Sequence, residues 1–98
     1  MQIRKEVVGE LGEQKVYEDQ ETGLSIVEND FFGPTVYLLE DADVALAGIN
    51  VTFAADGSVL LSLNSMVFEP DWEKWVANAE RVVKTIRSYK TEKAKEQQ

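Results

Sequence analysis

The chain contains no cysteine and no histidine, and only two prolines. Without the first two residue types there can be no disulfide framework, no thiolate or imidazole zinc site, and no catalysis by a cysteine nucleophile or a histidine base. A chain without thiols is also indifferent to redox state, so cysteine content allows the expected cytoplasmic location without proving it. Long apolar runs are missing as well. No stretch approaches the roughly 18 apolar residues that span a bilayer, and no apolar signal segment follows Met1-Gln2-Ile3-Arg4-Lys5-Glu6, so no membrane association is expected. The most telling absence is of positive charge: Val16 to Glu73 holds 12 acidic residues and not one lysine or arginine.

What is present is 98 residues, 44% hydrophobic and 29% charged, with a formal net charge of -8. That suits one small domain over residues 1–98, with a modest core and no room for a second. Ordering a chain costs on the order of 1.5 kcal/mol per residue, which leaves a core of this size marginal and makes a homo-oligomer, a dimer in the simplest case, the expected state. The charge is distributed unevenly. Residues 1–30 carry 8 acids and 3 bases, residues 31–70 carry 5 acids and no base, and residues 71–98 carry 5 acids and 7 bases. The acidic field of the first two regions must be met by solvent cations, by the C-terminal segment, or by a positive partner.

The order of elements reads as strands first and a helix last. Residues 3–68 read as short extended segments punctuated by turn residues, while Pro70 to about Tyr89 follows helical spacing. Asp56-Gly57 predicts a tight hairpin joining residues 49–53 to 59–63, with Ile49, Val51 and Phe53 on the same face as Val59, Leu61 and Leu63. Asp19-Gln20-Glu21-Thr22-Gly23 predicts a looser hairpin between Val16-Tyr17-Glu18 and Leu24-Ser25-Ile26-Val27. Residues 3–8 read as an initial strand ending near Gly9 to Gly12. Thr35-Val36-Tyr37-Leu38-Leu39 and Val44-Ala45-Leu46-Ala47 read as strands flanking an acidic turn, with Gly48 a bend or bulge leading into the next strand. The expected fold class is α+β, a curved antiparallel β-meander of about five to seven strands packed against one C-terminal α-helix.

Within that helix Trp72, Trp75, Val76, Ala79, Val82, Val83, Ile86 and Tyr89 recur at spacings of three and four, predicting one stripe against the sheet with both tryptophans as core anchors. Pro70 suits the first helical position, with Glu69 a poor cap before it and Asp71 and Glu73 in the first turn. Glu80 and Lys84 stand in the favourable order for an i,i+4 pair. Residues 91–98 are polar and read as a frayed tail.

Chemistry has little to draw on. Glu40-Asp41-Asp43 is the closest carboxylate cluster, and it reads as a solvated turn rather than a metal site; no calcium-loop pattern is present, and Gly9-Glu10-Leu11-Gly12 lacks the spacing of a dinucleotide fingerprint. The chain is therefore expected to carry no catalytic, cofactor-binding or metal-binding residues, to use no cofactor, and not to be an enzyme. Candidate partner contacts are Phe31 and Phe32, adjacent rings in a loop before a strand, together with Glu40, Asp41 and Asp43.

Leu61-Ser62-Leu63-Asn64-Ser65-Met66-Val67-Phe68-Glu69-Pro70-Asp71-Trp72-Glu73-Lys74-Trp75 resembles the last strand and following helix of PC4-like transcriptional coactivators and Whirly-type single-strand binders. The resemblance implies a curved sheet on which bases stack, with Tyr17, Tyr37 and Phe53 in strands. Such binders would be expected to carry lysines and arginines on their strands, and these strands have none from Val16 onward. Net charge thus disfavours nucleic acid as a partner, and no residue role is transferred. The reading that follows is a small acidic protein-protein interaction domain or accessory subunit, self-associating or paired with a basic protein. Its alternatives are single-stranded nucleic-acid binding and an acidic nucleic-acid mimic occupying the groove of a basic nucleic-acid-binding protein.

Overall fold

The computed structural model describes residues 1–31, 33–64 and 69–97. Among these described residues, six strands and a long C-terminal helix make an α+β, meander-like fold, as the pattern of turns and apolar spacing implied. Strands β1 (Gln2–Val7), β2 (Glu13–Asp19), β3 (Leu24–Asn29) and β4 (Thr35–Leu39) form one antiparallel sheet in sequence order, and β5 (Ile49–Phe53) and β6 (Val59–Leu63) form a separate hairpin.

Both signalled hairpins are present. Gly23, at φ +76°, closes the β2–β3 turn by donating its N–H to the Asp19 carbonyl at 2.8 Å. Gly57, at φ +91°, does the same between β5 and β6, where Asp56 also accepts the Ser58 N–H at 2.9 Å. Few side chains tolerate such a φ, so glycine sets these turns and the turns set the register. Across β5 and β6, Ile49 faces Leu63, Val51 faces Leu61 and Phe53 faces Val59, the shared face expected from their alternation.

Residues 44–47 correct the sequence reading. Residues 44–46 belong to a short helix, α1 (Ala42–Leu46), which Ala47 caps, and not to a strand. Asp41 accepts the Val44 N–H at 3.0 Å from an extended backbone, the geometry of a helix N-cap, and the alanines that follow are good helix formers. Gly48, at φ +82°, ends this helix by donating to the Ala45 carbonyl at 3.3 Å, so the expected bend is a helix terminus rather than a strand bulge.

The long helix α2 (Trp72–Glu96) packs over β2, β3 and β5, with α1 against its N-terminal half. Asp71 is its cap, accepting the Glu73 and Lys74 N–H groups at 3.1 and 3.2 Å. Pro70 therefore precedes the cap instead of occupying the first helical position, and Glu69 takes no part in capping. Residues 91–96, expected as a tail, continue the helix to Glu96, whose carboxylate is anchored to the sheet.

The apolar stripe also needs correcting. Val82, Ile86 and Tyr89 are buried together with Asn78 and Thr85, joining Tyr17, Leu24 and Ile26 in the core. Trp75 and Ala79 are partly buried at its edge, whereas Trp72 is 54% and Val76 50% exposed. Trp72 is no core anchor. Because 3.6 residues per turn cannot hold eight apolar positions on one narrow face, the stripe spreads over two neighbouring strips, of which the sheet covers one.

The sheet face turned away from α2 has its own cover. Val16 and Val27, opposite each other on β2 and β3, are each 1% exposed. Around them Arg4 pairs with Glu18 and with Glu6 (2.7 Å), Gln14 donates to Glu6 at 3.1 Å, and the Tyr37 hydroxyl donates to Gln14 at 3.4 Å. Long polar side chains thus lay their apolar stems over the two valines, a layer that a helix supplies on the inner face.

Candidate interaction surface

Along its inner edge α2 is tied to the β2–β3 hairpin by polar contacts every three or four residues. Arg81 bonds the Asp41 carboxylate at 2.5 Å, the Thr22 carbonyl at 2.6 Å and Asn78 at 2.9 Å. Lys84 pairs with Glu21 at 2.5 Å, and the Thr85 hydroxyl meets that of Thr22 at 2.5 Å inside the core. Further along, Tyr89 donates to Glu28 at 2.5 Å and Lys93 pairs with the same carboxylate at 3.0 Å. Glu96 accepts from Lys15 at 2.6 Å and from the Tyr17 hydroxyl at 3.0 Å. Three of the seven helix bases, Arg81, Lys84 and Lys93, therefore neutralise acids outside the helix, a partial internal answer to the charge imbalance. Lys84 turns to Glu21 instead of Glu80, its expected partner four residues back.

These contacts shift the groups that make them. Hydrogen bonding to Asp41 raises Arg81, while Arg81 and the Val44 N–H hold the Asp41 carboxyl below its ordinary value. Lys15 holds Glu96 down, and Glu96 in turn raises Lys15. Burial pushes the Tyr17 hydroxyl up, and burial with the Glu28 hydrogen bond does the same to Tyr89. Two tyrosines, two lysines and two glutamates close on one another here, with the tyrosine rings edge to face at 4.9 Å. Every donor faces an acceptor of the same chain, so the cluster acts as a latch for the last turns of α2.

The sequence-selected contact residues do not form one surface. Phe31 is 45% exposed in the β3–β4 turn, where its N–H donates to Asn29 at 2.8 Å; Phe32 lies outside the described residues. Glu40, Asp41 and Asp43 stand at the opposite end of β4, about 17 Å away at the 3.3 Å rise of a five-residue strand. Burial raises the Glu40 carboxyl, helped by neighbouring Asp41. Asp41 is occupied in capping α1 and pairing with Arg81, a structural role. Asp43 borders a shallow 420 Å³ groove with Leu46, Asp71 and Lys74. Among the described residues no three acidic side chains are placed to hold a metal ion, and no helix is long and apolar enough to cross a membrane.

A different surface stands out. On the outer flank of α2, Trp75, Val76, Ala79 and Val83 line an open groove of 550 Å³, edged by Glu80, Lys84 and Arg87. Trp72 extends it at the N-terminal end, its ring 6.5 Å from that of Trp75. The Trp75 indole N–H is buried without a hydrogen-bond partner among the described residues, where apolar area seats that ring. The sequence did hold the signal for this surface, since eight apolar positions exceed what one buried face can accept. No protein-family model, curated protein or solved structure matches the chain.

Proposed function

We propose that the chain is a small protein-interaction domain or accessory subunit that acts by noncovalent binding, with the outer flank of α2 as its contact surface. The observation that carries this reading is the pair of large apolar side chains, Trp72 and Val76, each at least half exposed beside Trp75 on a helix whose other flank fills the core. Tryptophan in such a setting supplies the large, rigid area that dominates protein contacts. Among the described residues, the charged side chains that tie α2 to the rest of the fold meet in mutually satisfied pairs, which supports binding over catalysis on this helix. The single-strand reading has less support: Arg81, Lys84 and Lys93 are committed to Asp41, Glu21 and Glu28, which interrupts any basic track along the helix. The same pairs reduce the acidic display that a nucleic-acid mimic requires.

Selection of a displayed random-peptide library on sparsely immobilised chain tests the surface without knowledge of its partner. Recovered peptides are expected to bind the intact chain and to lose binding to a Trp72→Ser/Val76→Glu variant of unchanged circular dichroism. Peptides that bind both chains equally would place the contact surface elsewhere.

A further inference from the structure

Resting on that reading, we infer that the occupant of the α2 flank is a second copy of this chain, the two α2 helices packed antiparallel about a two-fold axis near Ala79. Trp72 and Val76, both exposed, and Ala79 and Val83, partly buried along the same groove, alternate at four and three residues, the spacing that keeps one helix seam facing another. Ala79, the smallest of them, sits at the midpoint, where two helices can approach to the short end of the roughly 8–10 Å packing range.

Charge settles the direction. Glu73, Glu80 and Arg87 fall seven residues apart along one rim of the seam, and none of the three has an ion pair among the described residues. An antiparallel pairing brings Glu73 of each copy to Arg87 of the other, and the same guanidinium then lies near the Trp72 ring of the opposing helix. A parallel pairing turns this rim toward the partner's other rim, where Trp75 and Val82 stand, so Glu73 and Arg87 meet no opposite charge. The antiparallel arrangement has one like-charge meeting, Glu80 near the axis, against two favourable meetings at the ends. It is also self-complementary, as closure about a two-fold axis requires. The rest of the molecule favours the same side: residues 1–70 carry 13 acids and 3 bases, and joining the copies through α2 keeps these acidic layers apart.

Because the chain has no cysteine, single introduced thiols report the geometry without interference. Ala79→Cys is expected to form a disulfide-linked dimer under mild oxidation. An equimolar mixture of Val76→Cys and tagged Val83→Cys chains should cross-link to each other in preference to themselves. Self-linking of Val76→Cys with no mixed product would mean parallel helices and overturn the proposal. In sedimentation equilibrium, Val76→Glu should raise the dissociation constant by about tenfold or more, since a charge replaces a buried valine. Glu73→Arg and Arg87→Glu should each weaken the dimer several-fold, and the double variant should recover it. A chain that stays monomeric at high micromolar concentration, with no Ala79→Cys product, refutes the second copy; positive peptide selection on the same flank would then leave the interaction-domain reading standing, and its failure would remove both.

Discussion

Replacing Asp41 separates two contributions that one carboxylate makes to this fold. Its Oδ1 accepts the Val44 N–H at 3.0 Å, capping α1, while Oδ2 accepts from Arg81 at 2.5 Å, joining α1 to α2. Asp41→Asn keeps a capping oxygen and removes the charge; Asp41→Ala removes both. Loss of an N-cap costs about 1 kcal/mol. The ion pair is worth about 0.5–1 kcal/mol after screening, because its side chains are 29% and 41% exposed. Arg81 keeps its bond to the Thr22 carbonyl at 2.6 Å in either variant, so no guanidinium is stranded. Urea unfolding followed by circular dichroism at pH 7 should therefore show losses of about 0.5–1 kcal/mol for the asparagine variant and about 1.5–2 for the alanine variant. The folded-state carboxyl lies below its ordinary 3.8, so its charge contribution is complete above that value and is lost as pH falls through the lower folded value. The difference between wild type and Asp41→Asn should hold from neutral pH to about pH 5 and close in stronger acid. Equal losses for the two variants, or a difference that widens on acidification, would refute the reasoning.

Two valines six residues apart test the orientation of α2: Val82→Ala, at a fully buried site, should cost about 1–3 kcal/mol in urea, and Val76→Ala, measured on dilute chain, less than about 0.5. Tyr89→Phe keeps the ring contact with Tyr17 but loses the 2.5 Å hydrogen bond to Glu28, for an expected loss of about 1.5 kcal/mol and a lower Tm by calorimetry. Since the folded Tyr89 hydroxyl lies above its ordinary 10.0, its contribution is complete below that value and is lost as pH rises beyond it. Alkaline melting of the wild type should accordingly fall more steeply above pH 10 than that of the phenylalanine variant. Gly48→Ala, forced to φ +82° at the end of α1, should cost about 1 kcal/mol by the same unfolding assay.

Most of the strand plan was legible because glycine and alternation act locally. Gly23 and Gly57 mark the turns, and the apolar face of β5 and β6 follows from period two without knowledge of anything else in the molecule. Residues 44–47 misled because Val-Ala-Leu-Ala suits a buried strand or a helix equally well; the capping bond from Asp41 decides between them, and a short apolar run does not announce its cap. The candidate surface was half legible. Trp72, Val76 and Val83 were visible as apolar helix positions, but which of the eight would meet the sheet was not. Phe31 reads as a contact from its loop setting and the acidic turn from its closely spaced carboxylates, and β4 holds them at its two ends.

Local chemistry alone accounts for the α+β class, the order of elements and the division between acidic strands and a basic helix, because turns, periodicity and net charge depend on residues close in the chain. The rotation of α2 about its axis, the split into two sheets and the assignment of Arg81, Lys84 and Lys93 to acids 40 to 65 residues away arise only when the elements pack. Packing must bury as much apolar area as it can while giving each buried polar group a partner, and that joint condition is set by the three-dimensional arrangement of all the elements together.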